Sequence, residues 1–453
     1  MSLDKRKRYP NASRWAVRVV ALTLLASVPL PIIASTPQPL PSNPKIDALR
    51  SPLHRRSGSR PRVNFGAGDA WLAKYKAGSN TATQTLWTKQ LGTPGADTPN
   101  GIALDSEGNS FIAGETSREF GGVFFGGVTD AWVAKSAPDG ALVWVRQLGT
   151  RFTDGAYSVA ADRGGNVFVA GYTLFGSLGG NNQGSYDAWL AKYGPDGTLL
   201  WTQQLGTAGS DRAFGVATDA NGNVFMAGET EGALKGSNQG GLDAWVAKYN
   251  AADGTLLWVR QLGTSDNDLT YGMATDRNGN VVIAGKRSNG AWAAKYSAGG
   301  ALRWVRQLGS ASGQEAAYGV ATDSLGNIAL AGTTLGDLGR PNLGGSDAWV
   351  AKYSANGTLR WTRQLGSPNA DWATAIAIDS KDNVFLTGPT AGALSSPNQG
   401  GSDAWFAKYS PSGTLRWTHQ TGTADADGPT GIAVDGSGNA VATGFTYGNF
   451  SGD

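Results

Sequence analysis

Along most of this chain, short stretches in which alternate residues are apolar are separated by clusters of Gly, Asn, Asp and Ser. Within residues 187–193, for example, Trp189, Ala191 and Tyr193 fall on one side of an extended strand. A Gly-containing turn leads to a second stretch at 198–205. After a loop come a third at 214–219, a turn of Ala220, Asn221, Gly222 and Asn223, and a fourth at 224–230. Asn and Asp tolerate left-handed backbone and Gly needs no side-chain room, so the pattern predicts four short strands joined by tight turns.

The same unit recurs. Asp-Ala-Trp places its tryptophan at Trp71, Trp132, Trp189, Trp245, Trp349 and Trp405, and a degenerate Gly290-Ala291-Trp292 makes seven. The spacing is 56 or 57 residues, except 61 after the first copy and 47 before Trp292. A second tryptophan in W-x-x-Q-[LT]-G follows each, at Trp87, Trp144, Trp201, Trp258, Trp304, Trp361 and Trp417. The turn D-x-x-G-N recurs at Asp105, Asp162, Asp219, Asp276, Asp323 and Asp435, and in the sixth unit Asp382 replaces its glycine. Four-stranded units of this length, repeated seven times, suit radial blades better than a solenoid, because a ring closes without terminal caps. The fold class predicted is all-β: a seven-bladed β-propeller with four-stranded blades.

The run D-A-W-x-A-K-Y, G-T-L-x-W, Q-L-G and V-A-x-D-x-x-G-N-V-x-x-A-G-x-T resembles the SBBP family of bacterial β-propeller repeats over about residues 69–446. The resemblance implies a propeller in an exported bacterial protein and brings no common catalytic activity. A weaker similarity links G-T-L-x-W to the quinone-binding repeats of dehydrogenases, whose calcium-quinone site has no counterpart in this sequence.

The small residues of V-A-x-D suit the crowded centre of a ring. If that strand is innermost, the repeat begins at Asp69 with the third strand of a blade and ends near Thr446 with the second. Both chain ends should then share a composite closing blade, with 440–446 beside 69–75 and no exposed sheet edge. The loop after Q-L-G and the stretch before D-A-W should open on one face, and ligands are expected on that long-loop face.

Eight residues before each turn Asp lies an acid: Asp97, Asp154, Asp211, Asp268, Glu315, Asp371 and Asp427. They form an acidic rim read mainly as loop caps, with a ring for cations as the functional alternative. The repeated lysines Lys74, Lys135, Lys192, Lys248, Lys295, Lys352 and Lys408 are read as structural. Departures from the repeat are better ligand-binding candidates. Trp372 is extra; Tyr157, Phe214, Tyr271 and Tyr318 form an aromatic run at equivalent positions in four consecutive units; Phe124 and Phe125 lie amid glycines in one loop. The fourth unit keeps only 286–290 of this loop, which should notch the rim.

Composition narrows the chemistry. The 66 glycines and 16 tryptophans fit short strands, tight turns and aromatic fillers. With no cysteine and only His54 and His419, thiol chemistry, thiolate metal sites and a serine-histidine triad fall away, so no catalytic residue, metal or cofactor is expected. The formal charge of +3 conceals a basic segment, residues 1–63, of net +10, and an acidic remainder of about −7. Nucleic acid is therefore not an expected partner.

Lys5 to Arg8, followed by an apolar stretch ending at Ala34 and Ser35, has the layout of a secretory signal peptide over 1–34, with an uncleaved anchor as the competing reading. Residues 35–62, rich in Pro, Ser and Arg, read as a disordered linker, and 63–453 as the propeller. The expected function is an exported, non-enzymatic binding or adhesion scaffold, secreted, periplasmic or on the cell surface. Its partner would be an extracellular protein or glycan, with membrane contact only through an uncleaved leader. The alternatives are a carbohydrate-binding propeller and a carboxylate-dependent lyase or glycosidase.

Overall fold

The structure, a computed structural model, describes residues 67–76, 84–310 and 313–450. The expected signal peptide, its alternative as an anchor, and the linker lie outside the described residues.

The described strands form seven antiparallel four-stranded sheets. In the second blade they run outward as Asp154–Ala161, Val167–Leu174, Tyr186–Tyr193 and Leu199–Leu205. Blades are numbered from the one that begins at Asp97, and strands from the axis outward. The first strands of neighbouring blades pack on one another all the way round, the last blade returning to the first. The V-A-x-D strand is therefore innermost, and the W-x-x-Q-L strand is the exposed outer one.

The seventh blade is composite. Asp427–Val434 and Ala440–Thr446 supply its inner pair, and Asp69–Lys76 and Gln84–Leu91 its outer pair. Asp69 to Tyr75 pairs in unbroken register with Thr446 to Ala440, the closure expected from the phase of the repeat. In the fourth blade the hairpin between second and third strands is cut to Ser288 and Asn289.

One boundary differs from expectation in an informative way. The innermost strand of the third blade starts at Asp211 rather than Phe214, because pairing continues through a β-bulge at Phe214. The same bulge falls at Asn100, Tyr157, Tyr271, Tyr318 and Thr430. Beside it, the glycine of A-G-x-T has no room for a side chain. A Cβ on Gly228 would lie 1.7 Å from the Arg212 carbonyl, and one on Gly171 1.8 Å from that of Gly155.

The repeated residues fasten blade to blade. Every D-A-W or A-W tryptophan is buried between sheets: Trp189 of the second blade packs among Phe111, Val133 and Trp144 of the first. On the outer strand, Trp144 Nε1 donates to Pro195 O and Arg146 Nε to Gly197 O, both in the next blade, and Trp304 and Arg306 repeat this on Ala355 and Gly357. Lys74, Lys248, Lys295, Lys352 and Lys408 are buried ion-pair partners of the turn aspartates, as in Lys295–Asp276 and Lys352–Asp323, both 2.9 Å, while Lys135 and Lys192 lie over the rings of Phe111 and Phe168. Lys192 Nζ donates to Ala251 O in the following blade. His419 occupies the Arg146-like position of the sixth blade and packs against Phe406 and Tyr75.

A candidate ligand-binding face at the channel mouth

The antiparallel order puts the D-x-x-G-N turns on one face and the two long connections of each blade on the other. On the long-loop face the rim acids do not present carboxylates to a channel. Asp97, Asp154, Asp211, Asp268, Glu315, Asp371 and Asp427 are all fully buried. Each folds back on its own loop: Asp97 Oδ2 accepts from Thr93 N at 2.6 Å and Thr93 Oγ1 at 2.8 Å, Asp211 does the same with Thr207, and Glu315 takes the Ser310 hydroxyl. Burial raises the pKa of Asp97, Asp154, Asp211, Asp371 and Asp427 despite these bonds.

A second set of buried acids, the aspartates of D-A-W, holds the loops in place. Asp130 Oδ2 accepts from Gln147 Nε2 at 2.9 Å and from Phe125 N at 2.7 Å, so it ties the first blade's long loop to its outer strand. Burial pushes this carboxyl up to about 6. The loop so held carries Val123, Phe125 and Val128, which are 65%, 49% and 72% exposed, while Phe124 is half-buried. It rests on the next connection, where Gly127 closes on the Phe152 backbone and Val128 N donates to Thr153 Oγ1. The Phe152 ring meets Phe175 edge-on at 6.2 Å and lies under the Arg151 guanidinium. Phe175 is 53% exposed and has φ of 56°, a left-handed backbone that a bulky residue rarely adopts. Exposed apolar side chains thus lie on adjoining loops of the first two blades and form an apolar patch there.

Nearer the axis, the bulge turns one side chain per blade onto its neighbour. Tyr157 stacks on Phe214 at 4.9 Å, Phe214 meets Tyr271 edge-on at 6.4 Å, and Tyr271 lies 5.2 Å from Tyr318. The four aromatics therefore form one half-buried arc over blades two to five. Two polar residues at this position reach a carbonyl of the next blade instead, Asn100 Nδ2 to Ala156 O and Thr374 Oγ1 to Pro429 O, while Thr430 Oγ1 donates to Thr443 O of its own blade. Trp372 lies apart from the arc. It is half-buried, and its indole donates to Ser346 Oγ of the fifth blade, while the innermost strand of its own blade is reduced to Ala375–Ile378.

Beside the arc lies a polar cluster that the sequence reading did not single out. The x of A-G-x-T is Glu115, Tyr172, Glu229, Lys286, Thr333, Pro389 and Phe445 in the seven blades, different in nearly every copy while its neighbours repeat. Glu115 lies near the polar groups of Asn100, Thr129 and Tyr172, and burial pushes its carboxyl up to about 7. Glu229 is also pushed up to about 7 by burial, against the pull of Arg212, whose Nη1 lies 3.8 Å from its Oε1. Tyr172 contacts Tyr157 at 5.2 Å and Tyr186 at 5.5 Å, and the Arg212 guanidinium lies 4.0 Å from the centre of the Tyr186 ring. Burial raises the Tyr157 phenol, and the charges of Glu115 in the first blade and Glu229 in the third add to this. Among the described residues, no group of three or more His, Cys, Asp or Glu lies together as a metal site would need.

Seven radial sheets with repeated fasteners and one irregular sector at the mouth define a seven-bladed β-propeller with a differentiated face. The chain belongs to the SBBP family: the family model, described as Beta-propeller repeat, matches residues 86–121, 143–179, 200–234, 257–286, 303–339 and 360–394. Among curated proteins it is similar to the regulatory protein FlaEY of Caulobacter vibrioides, 26% identical over 48% of this chain and 24% of that protein. It is also similar to an uncharacterized WD repeat-containing protein of Acanthamoeba polyphaga mimivirus, 23% identical over 83% of this chain and 32% of that protein. The chain therefore matches about a quarter to a third of the length of these relatives. Of solved structures, a Lactobacillus plantarum protein aligns over 84% of this chain and 100% of its own at 14% identity and TM-score 0.46. A Bacteroides caccae protein of unknown function aligns over 66% and 94% at 11% identity and TM-score 0.36.

Proposed function

We propose that this propeller is a non-enzymatic binding scaffold that docks a partner on its long-loop face over blades one to three, in an exported protein. The observation that carries the reading is the coincidence of two departures from the repeat in one sector. Phe125, Phe152 and Phe175 build the apolar patch, and Glu115, Tyr172, Tyr186, Arg212 and Glu229 line the neighbouring mouth. Symmetry requires neither, and exposed apolar area beside a polar cluster is the anatomy of an interaction surface. Export is supported by the cationic and apolar layout of residues 5–34.

The carbohydrate reading draws on Trp372, whose indole N–H is taken up by Ser346 Oγ, and on Gly-, Asn- and Gln-rich loops such as residues 236–241. A carboxylate-dependent lyase or glycosidase needs two acids set apart in pKa, whereas Glu115 and Glu229 are both lifted to about 7. The test is binding of labelled propeller to cells lacking the protein, alongside a glycan array. Saturable binding lost in Phe125→Ser and Phe175→Asn, with no glycan recognised, supports a protein partner. Binding untouched by these changes overturns the placement of the face.

A further inference from the structure

We infer that the half of the mouth formed by Glu115, Tyr157 and Tyr172 receives an organic cation, the guanidinium or ammonium group of an arginine or lysine side chain on the docked partner; this rests on the binding function proposed above. The argument comes from comparing the two halves of the polar cluster. In one, Glu229 and the Tyr186 ring hold a cation that the chain itself supplies: Arg212 lies over the ring at 4.0 Å and beside the carboxylate at 3.8 Å. In the other, Glu115 has the same kind of aromatic company but no cation. Tyr172, which lies beside it at Gly155, sits between Tyr157 and Tyr186, and among the described residues Glu115 takes part in no ion pair.

Space is kept for that carboxyl group. Across the strands Glu115 pairs with Thr98, where Glu229 pairs with Arg212, and the equivalent residue of the next blade is Gly155, where a Cβ would lie 2.7 Å from Glu115 Oε1 and 2.6 Å from Tyr172 Cε1. A half-buried carboxylate with no cation beside it is costly in its charged form. A guanidinium or ammonium group would offset that cost through a charge-assisted hydrogen bond and through attraction to the ring faces. Arg212 performs both functions next door.

The groups facing Glu115 are Asn100, Thr129 and Tyr172, with Tyr157 within electrostatic reach; those facing Glu229 are Arg212 and Glu231, with Tyr157 and Tyr271 beyond them. Of these, Glu115 and Glu229 titrate near neutrality. A cation bound at Glu115 therefore displaces a proton, and binding strengthens as pH rises from about 6 to 8.

The test is calorimetric or NMR titration of the intact protein with acetyl-Gly-Arg-Gly-amide, its lysine counterpart, and the citrulline peptide, which keeps the arginine shape without the charge. The expected result is at least tenfold weaker binding of the citrulline peptide. Glu115→Gln, which keeps the side-chain shape and whose folding is checked by its melting curve, should bind the arginine peptide at least tenfold more weakly and lose most of the rise between pH 6 and 8. Methylguanidinium should compete with the peptide, since the charged group is what the site reads. Equal binding of arginine and citrulline peptides, no binding of either, or full affinity in Glu115→Gln would overturn the inference. If Phe125→Ser still abolishes cell binding in that event, the docking face stands and only the cation is wrong.

Discussion

The indole of Trp71 donates its N–H to the carbonyl of Phe445 at 3.1 Å, across 374 positions of sequence. Trp71 also stacks on Phe450 at 4.6 Å, and Thr443 Oγ1 donates to the Trp71 carbonyl at 2.8 Å. The closing blade is therefore held by side chains as well as by backbone pairing. Trp71→Ala should lower stability by about 3–5 kcal/mol, the usual cost of truncating a core aromatic. Removing residues 440–453 should abolish cooperative unfolding, since it strips the middle of a sheet that joins both ends. A truncated chain with an unchanged melting transition would show that closure contributes little.

That closure could be read from sequence because it depends on phase alone: D-A-W opens the repeated region at Asp69, and A-G-x-T closes it at Thr446. The burial of Asp97 and its equivalents was harder to read, because exposure is set by how each loop folds back on Thr93 or its counterpart. Glu115 and Glu229 were missed for a different reason. Each is a single substitution at a position whose repeated neighbours draw the eye, and their significance lies in contacts with Asn100 and Arg212, contributed by a different strand in each case. The available signal was variability at one position inside an otherwise repeated strand. The bulge at Phe214 has no compositional mark beyond the glycine that follows it, so the alternation along the sequence marks a strand only from Phe214 onward.

The lysine-to-turn pairs offer a test of buried charge. Lys295 and Asp276 are 2.9 Å apart with 5% and 2% of their side chains exposed. Burial acts to raise the Asp276 pKa, but hydrogen bonds from Asn280 and Lys295 outweigh it and hold it below the ordinary value. The stability this contributes is present above the unfolded aspartate pKa and is lost as pH falls through the folded one. Lys295→Met should cost about 3–5 kcal/mol by stranding the carboxylate, and adding Asp276→Asn should recover part of that loss. Denaturant titration of the double-mutant cycle measures the coupling; additive losses would argue against it.

Glu115 and Glu229 should give the opposite pH response. Both folded pKa values are raised by burial to about 7, well above the unfolded value. The folded state therefore holds protons that the unfolded state has released, and stability falls as pH rises from about 5 to 8. Each group should contribute of the order of 1–3 kcal/mol to that fall. Glu115→Gln with Glu229→Gln should flatten the slope, measured as the melting temperature between pH 5 and 8. A slope unchanged in the double variant would assign it elsewhere, with the Asp130 carboxyl, held near 6, as the next group to replace.

The glycine of A-G-x-T should be intolerant of even one added methyl group. A Cβ on Gly228, whose strand is paired on both sides, would lie 1.7 Å from Arg212 O, a backbone atom held by the bulged pairing of the innermost strand. Relief requires the two inner strands to separate, at a cost of about 3 kcal/mol, the upper part of the overpacking range. Gly222→Ala is a contrasting control: nothing lies within 4 Å of its Cβ, and its φ of 74° limits the penalty to local backbone strain. Equal melting temperatures for the two variants would show that the strands separate at little cost.

Phe175 should separate stability from binding. Its left-handed φ of 56° costs roughly 1–2 kcal/mol for an ordinary L-residue. The conformation is held by its N–H bond to Ser185 O at 2.8 Å and by the edge contact with Phe152. A core residue would repay that strain by burial, yet the ring is 53% exposed, so the strain serves to hold an aromatic outward on the proposed docking face. Phe175→Asn, a residue that accepts left-handed backbone, should therefore leave the melting temperature unchanged or raise it slightly while reducing cell binding severalfold. Phe152→Ser, which removes the supporting ring, should reduce binding as well. A Phe175→Asn variant that is markedly less stable, or that binds as well as the parent, would show that the ring serves packing rather than docking.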